Sequence, residues 1–205
     1  MLIIVALGDS TTAGTPGFKS ALEAPPNGAG DVESQYAYWL TTTHADWRVL
    51  NRGVDGERSD HIRARFQRDV VDAHADAVVI VAGVNDVYQG RSAASVQPEL
   101  EAMYTAARAA RIVVVAGSII PYDTAGADEN ARMHAINDWI RTYAAAHPEA
   151  MVFCDTRAAV APPGQPDRLV SSPDGLHPSP QGYKLMAEAL EPSIRAALAK
   201  AQALR

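Results

Sequence analysis

Leu2-Ile3-Ile4-Val5-Ala6-Leu7-Gly8-Asp9-Ser10-Thr11-Thr12-Ala13-Gly14 stands at the start of the chain and decides how the rest is read. An unbroken apolar run with β-branched members suits a strand buried on both faces, as in a parallel sheet. The run stops at a glycine, and a serine follows almost at once. In an open α/β sheet, ligands bind beyond the carboxyl ends of the strands, so Ser10 falls where chemistry collects. The run has no basic leader and is too short for a secretory signal, so it reads as the first strand of the mature protein.

Working outward, similar apolar runs recur at 47–51, 77–82, 111–117 and 150–155. Helical periodicity fills the spaces between them. Ile62, Phe66, Val70 and Ala73 keep step across 58–74; Leu100, Met103 and Ala107 across 92–110; Met133, Ile136, Ile140 and Tyr143 across 128–146. A last helix opens at Ser179-Pro180, a capping residue followed by a proline at the first helical position. Pro192 is expected to kink or restart it. Strands alternating with helices predict an α/β fold, a three-layer α/β/α sandwich on a five-stranded parallel sheet with right-handed crossovers, flavodoxin-like if the strand order is 2-1-3-4-5. No linker or repeat divides the chain, so residues 1–205 are expected to form a single domain. The Pro- and Gly-rich stretch from Pro16 to Gly30 reads as a long loop, with surface loop and lid (16–34) both open as readings.

Composition narrows the function classes. A formal charge of −6 and a pI near 5.5 speak against a nucleic-acid binder. Arg58, Arg63, Arg65 and Arg68 cluster, but Asp60 and Asp69 interleave with them, as on a solvated helix face. Cys154 is the one cysteine; within Met151-Val152-Phe153-Cys154 it reads as a small core residue, and the chain has no need of an oxidising compartment. No apolar stretch reaches the roughly 20 residues that span a bilayer. These features together predict a cytoplasmic protein. Oligomeric state leaves no mark on the sequence.

The strand-end segments carry the chemistry. They are Gly8-Asp9-Ser10, Arg52-Gly53-Val54-Asp55-Gly56, Gly83-Val84-Asn85-Asp86 and Pro173-Asp174-Gly175-Leu176-His177-Pro178. Each alone is weak. Neither a P-loop nor a dinucleotide fingerprint is present, and the G-x-S-x-G elbow is missing. Together they supply a nucleophile, a base with its orienting acid, and oxyanion donors. A serine hydroxyl needs a base to take its proton during attack. His177 can do this if Asp174, in the same proline-bounded turn, receives its Nδ1–H and turns Nε2 toward Ser10. With strand 1 between strands 2 and 3, the Gly53 amide and the Asn85 side chain would flank Ser10.

At these four blocks the chain resembles the SGNH/GDSL hydrolases, from residue 1 to about 190. The resemblance implies an acyl-ester hydrolase with Ser10 as nucleophile, His177 as base and Asp174 as its acid. It also implies an oxyanion hole of the Ser10 amide, the Gly53 amide and the Asn85 side chain. Threonine at 11, where many members have leucine, is a small departure. The implied partner is a small-molecule acyl ester, with short chains such as acetyl favoured by the lack of a hydrophobic lid helix. Thioesterase, lysophospholipase-type or acyltransferase activity could use the same triad. A non-catalytic flavodoxin-like binder of a phosphate would have no need of Asp174 and His177.

Other polar residues invite plainer readings. Asp9 and Asp86 are expected to hold strand-end turns through side-chain hydrogen bonds. His44, His61, His74, His134 and His147 lack metal-ligand spacing, so neither a metal site nor a cofactor is expected. Tyr88, Pro121 and Tyr122 stand on the ligand face by position and are candidate pocket residues. Trp39, Trp47 and Trp139 read as core anchors.

Overall fold

The computed structural model describes residues 1–203. Strand β1 (Leu2–Gly8) leads into a single helical turn α1 (Ser10–Ala13). A small antiparallel pair, β2 (Phe18–Lys19) and β3 (Ala29–Gly30), precedes α2 (Tyr36–Thr43) and β4 (Trp47–Gly53). Then come α3 (Ser59–Ala64), β5 (Ala77–Val81), α4 (Val84–Tyr88), α5 (Ala93–Ala109), β6 (Val113–Gly117) and α6 (Ala127–Ala146). The chain continues through β7 (Met151–Cys154), α7 (Thr156–Val160) and α8 (Pro180–Ala203). The main sheet is parallel throughout and runs β4-β1-β5-β6-β7, the order expected.

Alternation along each strand divides the core into two layers. Val5, Leu7, Val78, Ile80 and Val114 point to one side, where Ile62, Phe66, Leu100, Met103, Ile136 and Ile140 cover them. Ile4, Ala6, Val79, Val81, Val113 and Val115 point to the other, against Tyr36, Leu40, Tyr183, Met186, Leu190 and Ile194. Both faces are therefore sealed, which is why the strands read as continuous apolar runs. Trp47 and Cys154 are buried, while Trp39 and Trp139 pack at the margins of the core.

Ser179 Oγ accepts the Gly182 N–H at 3.3 Å and caps α8 as its sequence suggested. That helix runs through Pro192 as one element, without the expected restart. Its apolar stripe spans the proline, with Leu190 before it and Ile194, Ala197 and Leu198 after it all buried against the sheet.

The helix expected over 58–74 is shorter and changes character. After α3, residues Gln67–Val71 form a wider π turn. The reading of its arginines as a solvated face fails at Arg65, which is 8% exposed, and at its partner Asp69, at 2%. Arg65 Nη2 donates to Gly8 O at 2.9 Å and Nη1 to Arg52 O at 2.8 Å. Its remaining donors reach Asp69 Oδ2 at 2.8 Å and Glu57 Oε2 at 2.7 Å. One planar fork thus satisfies carbonyls at the carboxyl ends of two adjacent strands, which a buried peptide oxygen requires. Arg63 and Arg68 do face solvent.

The segment 16–34 is braced rather than loose. Ser20 Oγ donates to Gly53 O at 2.6 Å, and Glu23 Oε1 accepts the Asp55 N–H at 3.0 Å. It supports the turn after β4 from behind, and among the described residues none from 16 to 34 lines the cleft at Ser10.

Candidate active site

The tight step from β1 into α1 is what exposes Ser10 to the cleft. Asp9 caps the turn through Oδ1, which accepts the Thr11 N–H at 3.0 Å. Gly14, at φ 109°, closes it with an N–H to Ser10 O. The turn carrying Asp174 and His177 is fixed by its own hydrogen bonds. Asp174 Oδ1 accepts the N–H groups of Leu176 and His177 at 2.9 and 2.8 Å. Ser172 Oγ accepts the Gly175 N–H at 2.8 Å and donates to His177 O at 2.7 Å. A further bond from the Asp123 N–H to Gly175 O, 2.8 Å, ties the turn to the segment after β6.

These two turns bring together the three residues singled out in the sequence. His177 Nδ1 lies 2.7 Å from Asp174 Oδ2, and His177 Nε2 lies 3.0 Å from Ser10 Oγ. A carboxylate only accepts, so Nδ1 carries the proton of the first bond. Nε2 of the neutral ring is then the acceptor for the serine hydroxyl. Burial alone would raise the Asp174 carboxyl, but hydrogen bonds from the His177 ring and from the Leu176 and His177 N–H groups outweigh it and hold the group below its ordinary value.

A cleft of about 280 Å³ opens at Ser10 and His177, walled by Thr11, Thr15, Asp55, Val84, Asn85, Tyr88, Tyr122 and Leu176. Tyr88 is 58% exposed, and the ring of the buried Tyr122 meets it edge-on at 5.8 Å. Pro121 is buried and does not line the cleft. Thr11 and Asp55 do, and sequence reasoning passed over both, although each sits in a strand-end segment already marked.

Asn85, in α4, reaches the cleft and donates one Nδ2 hydrogen to Glu57 O at 2.9 Å, leaving a second. Asp86 beside it is fully buried, accepting from the Ser59 N–H and Oγ and from Arg91. Gly53 differs from expectation. Its N–H donates to Asn51 Oδ1 at 2.9 Å and is not a free donor. Its glycine identity follows from packing, since a Cβ there would lie 2.0 Å from Ala13 N. Further along the same turn, Gly56 adopts φ 72° with open space around it. The Gly56 and Ser10 N–H groups donate to nothing among the described residues.

Asp9 has a second role in stability. Its Oδ2 is buried without a partner. Burial pushes its carboxyl from an ordinary 3.8 up to about 7; the Thr11 hydrogen bonds oppose the rise, and the charges of Asp86 and Asp55 add to it. The folded state therefore holds this proton more tightly than the unfolded chain, so stability falls as pH rises from about 4 through about 7. At about 1.4 kcal/mol per unit the loss is at most about 4 kcal/mol. Asp9→Asn keeps the Oδ1 acceptor and should flatten this component. Melting temperatures of both proteins from pH 4.5 to 8 check it; equal slopes would show that Asp9 does not titrate in this window.

A sequence profile of the GDSL-like lipase/acylhydrolase family matches residues 6–185. None of the curated proteins compared with the chain matches it. Among solved structures, a GDSL-like lipase from Bacteroides thetaiotaomicron VPI-5482 superposes with a TM-score of 0.76 at 22% identity, over 95% of this chain and 88% of that one. The psychrotrophic esterase EstA from Pseudoalteromonas sp. gives 0.71 at 19% identity, over 95% and 97%. An acetyl-xylooligosaccharide esterase from Geobacillus stearmophilus gives 0.72 at 20%, over 94% of both chains. At such identities the likeness is one of fold, and the profile match carries the membership. The chain belongs to the GDSL-like lipase/acylhydrolase family and is an ester hydrolase.

Proposed function

We propose that the protein hydrolyses short acyl esters, such as acetyl esters, through an acyl-enzyme on Ser10. The observation that carries this reading is the continuous relay from Asp174 Oδ2 through the His177 ring to Ser10 Oγ, with bonds of 2.7 and 3.0 Å. In this mechanism His177 Nε2 takes the serine proton as Oγ attacks the ester carbonyl. The resulting imidazolium is held by Asp174, then gives the proton to the leaving alcohol. Water repeats the sequence on the acyl-enzyme and releases the acid.

The oxyanion that forms in each step calls for donors beside Ser10. The unused N–H of Ser10 and the second Nδ2 hydrogen of Asn85 supply two. Asn85→Ala is expected to lower kcat by roughly 10²–10³-fold with little change in KM, because the donor acts on charge that develops in the transition state. An effect confined to KM would make Asn85 a ground-state binding residue instead.

A small acyl group suits the modest size of the cleft, about 280 Å³, at the lower end of the roughly 300–1,000 Å³ of ligand sites. An acetyl-ester specificity is also borne by the name of the Geobacillus relative in fold. No helix among the described residues is long and apolar enough to cross a membrane. The buried lone Cys154 leaves the fold independent of oxidising conditions, which supports a cytoplasmic address. A panel of p-nitrophenyl esters from acetyl to palmitoyl, with matched thioesters and acetylated sugars, tests the proposal. Turnover should fall steeply beyond short chains; a maximum at palmitoyl would overturn the chain-length assignment.

A further inference from the structure

The charges around the cleft bear on which ester fits it. Asp55 is the one aspartate or glutamate among the lining residues, and no lysine or arginine is among them. The Asp55 backbone is pinned by Glu23, through the 3.0 Å bond from its N–H. Its carboxylate, by contrast, makes no hydrogen bond or ion pair among the described residues, so it stands in the cleft open to a ligand. Of the arginines nearby, three are engaged by other carboxylates, while Arg52, three residues before Asp55, has its Nε buried without a partner. Arg58 pairs with Asp60, Arg91 with Asp86 and Asp60, and Arg65 with Glu57 and Asp69. Behind the cleft lie further carboxyl groups, Asp9, Asp86 and Asp174, and the field of Asp55 and Asp86 reaches far enough to act on the buried Asp9.

Tyr88 adds the second observation. Large aromatic side chains seldom project into solvent, yet Tyr88 is 58% exposed on the wall it shares with Asp55. Tyr122 packs against it in a T-shaped contact at 5.8 Å, and more than half of Tyr88 stays open to a ligand. An exposed aromatic ring and an unpaired carboxylate in the wall of one cleft are the chemistry that binds an ammonium or alkylammonium group, which gains where it reaches both. The same carboxylate repels phosphate, sulfate and carboxylate groups. Apolar Val84 and Leu176 in the wall suit a small acyl group, whereas a carboxylate there would be left without a partner.

We infer that Asp55 and Tyr88 bind the alcohol portion of the ester and select cationic amino-alcohol esters over neutral ones, and neutral over anionic ones. This rests on the ester-hydrolase reading of Ser10 given above and adds the class of alcohol. It also sets polyanionic thioesters of coenzyme A among the poor substrates.

The test compares kcat/KM for three acetates of similar size: choline acetate, its uncharged isostere 3,3-dimethylbutyl acetate, and 2-sulfoethyl acetate. At low ionic strength the cation should exceed the neutral ester, and the neutral ester the anion, by roughly tenfold each. The ratios should shrink in added salt, as partly exposed charges do. They should collapse toward one in Asp55→Asn and return in Asp55→Glu, while Tyr88→Leu should reduce the cation's advantage alone. Melting temperatures of the variants verify that each is folded. A wild-type protein that cleaves 3,3-dimethylbutyl acetate with no preference for choline acetate overturns this inference and leaves ester hydrolysis standing. A preference that persists in Asp55→Asn overturns it equally. Failure to cleave any of the three, or p-nitrophenyl acetate, would instead count against the reading of Ser10.

Discussion

Ser10→Ala is expected to lower ester hydrolysis by a factor on the order of 10⁴ or more, while the melting temperature stays close to that of the wild type. The expectation follows from what the hydroxyl does and does not touch. Its Oγ faces His177 Nε2 at 3.0 Å, and no other hydrogen bond depends on it. The turn that carries it is held instead by Asp9 and by the backbone bonds of Gly14 and Thr15 to Ser10 O. Removing Oγ therefore takes away the nucleophile and leaves the turn's bracing in place. Paired measurements of kcat/KM on p-nitrophenyl acetate and of thermal unfolding check both halves. Retention of most of the activity would remove Ser10 from the mechanism.

The second large effect is expected at Asp174. Asp174→Asn keeps the shape of the side chain, and its Oδ1 can still accept the Leu176 and His177 N–H groups that hold the turn. What it loses is the charge facing His177 Nδ1. An amide at that place can also present its NH₂ to the ring and favour the wrong tautomer. A kcat loss of up to about 10⁴-fold is expected, as in other triads. Asp174 is partly exposed, with 32% of its side chain accessible. Water can substitute in part for an exposed acid, so a loss nearer tenfold remains compatible with an orienting role. Asp86→Asn should behave differently. Asp86 is fully buried, bonded to Ser59 and Arg91, and touches neither His177 nor Ser10. Its substitution should destabilise by about 1.5–3 kcal/mol, the range for hydrogen bonds to a charged group. Comparison of kcat and melting temperature for the two variants separates the roles. Loss of catalysis at unchanged stability in Asp86→Asn, with Asp174→Asn fully active, would reverse the assignment.

The sheet was legible because the physics that buries it is written locally. Ile4–Leu7 and Ala77–Val81 are sealed on both faces, and a strand in that position has to be apolar at every residue. The strand order is less local: alternation implies right-handed crossovers but leaves the sequence of neighbours in the sheet open. Ser10, Asp174 and His177 were legible for a related reason: each lies in a short turn whose composition announces it. What the sequence hid depended on which way a side chain folds back. Gly53 and Gly56 share one turn, and nothing in their letters tells that Asn51 will reach forward and take the Gly53 N–H. Arg65 was lost among its charged neighbours, since helical spacing puts it beside either solvent or the strand ends, and only its bonds to the carbonyls of Gly8 and Arg52 decide between them. The two-residue strands of the 18–30 hairpin are too short for any periodicity to register. Pro192 does not end α8, because the burial of the helix on both sides of it outweighs one missing hydrogen bond.

The central claim is that Ser10 forms a covalent intermediate, and labelling with a fluorophosphonate addresses it most directly. Intact-mass measurement followed by peptide mapping should find a single phosphonyl adduct on the peptide that contains Ser10. Its appearance should parallel the loss of esterase activity, and Ser10→Ala should take up no label. An enzyme that hydrolyses esters yet remains unlabelled, or a label that persists elsewhere in Ser10→Ala, would contradict the account.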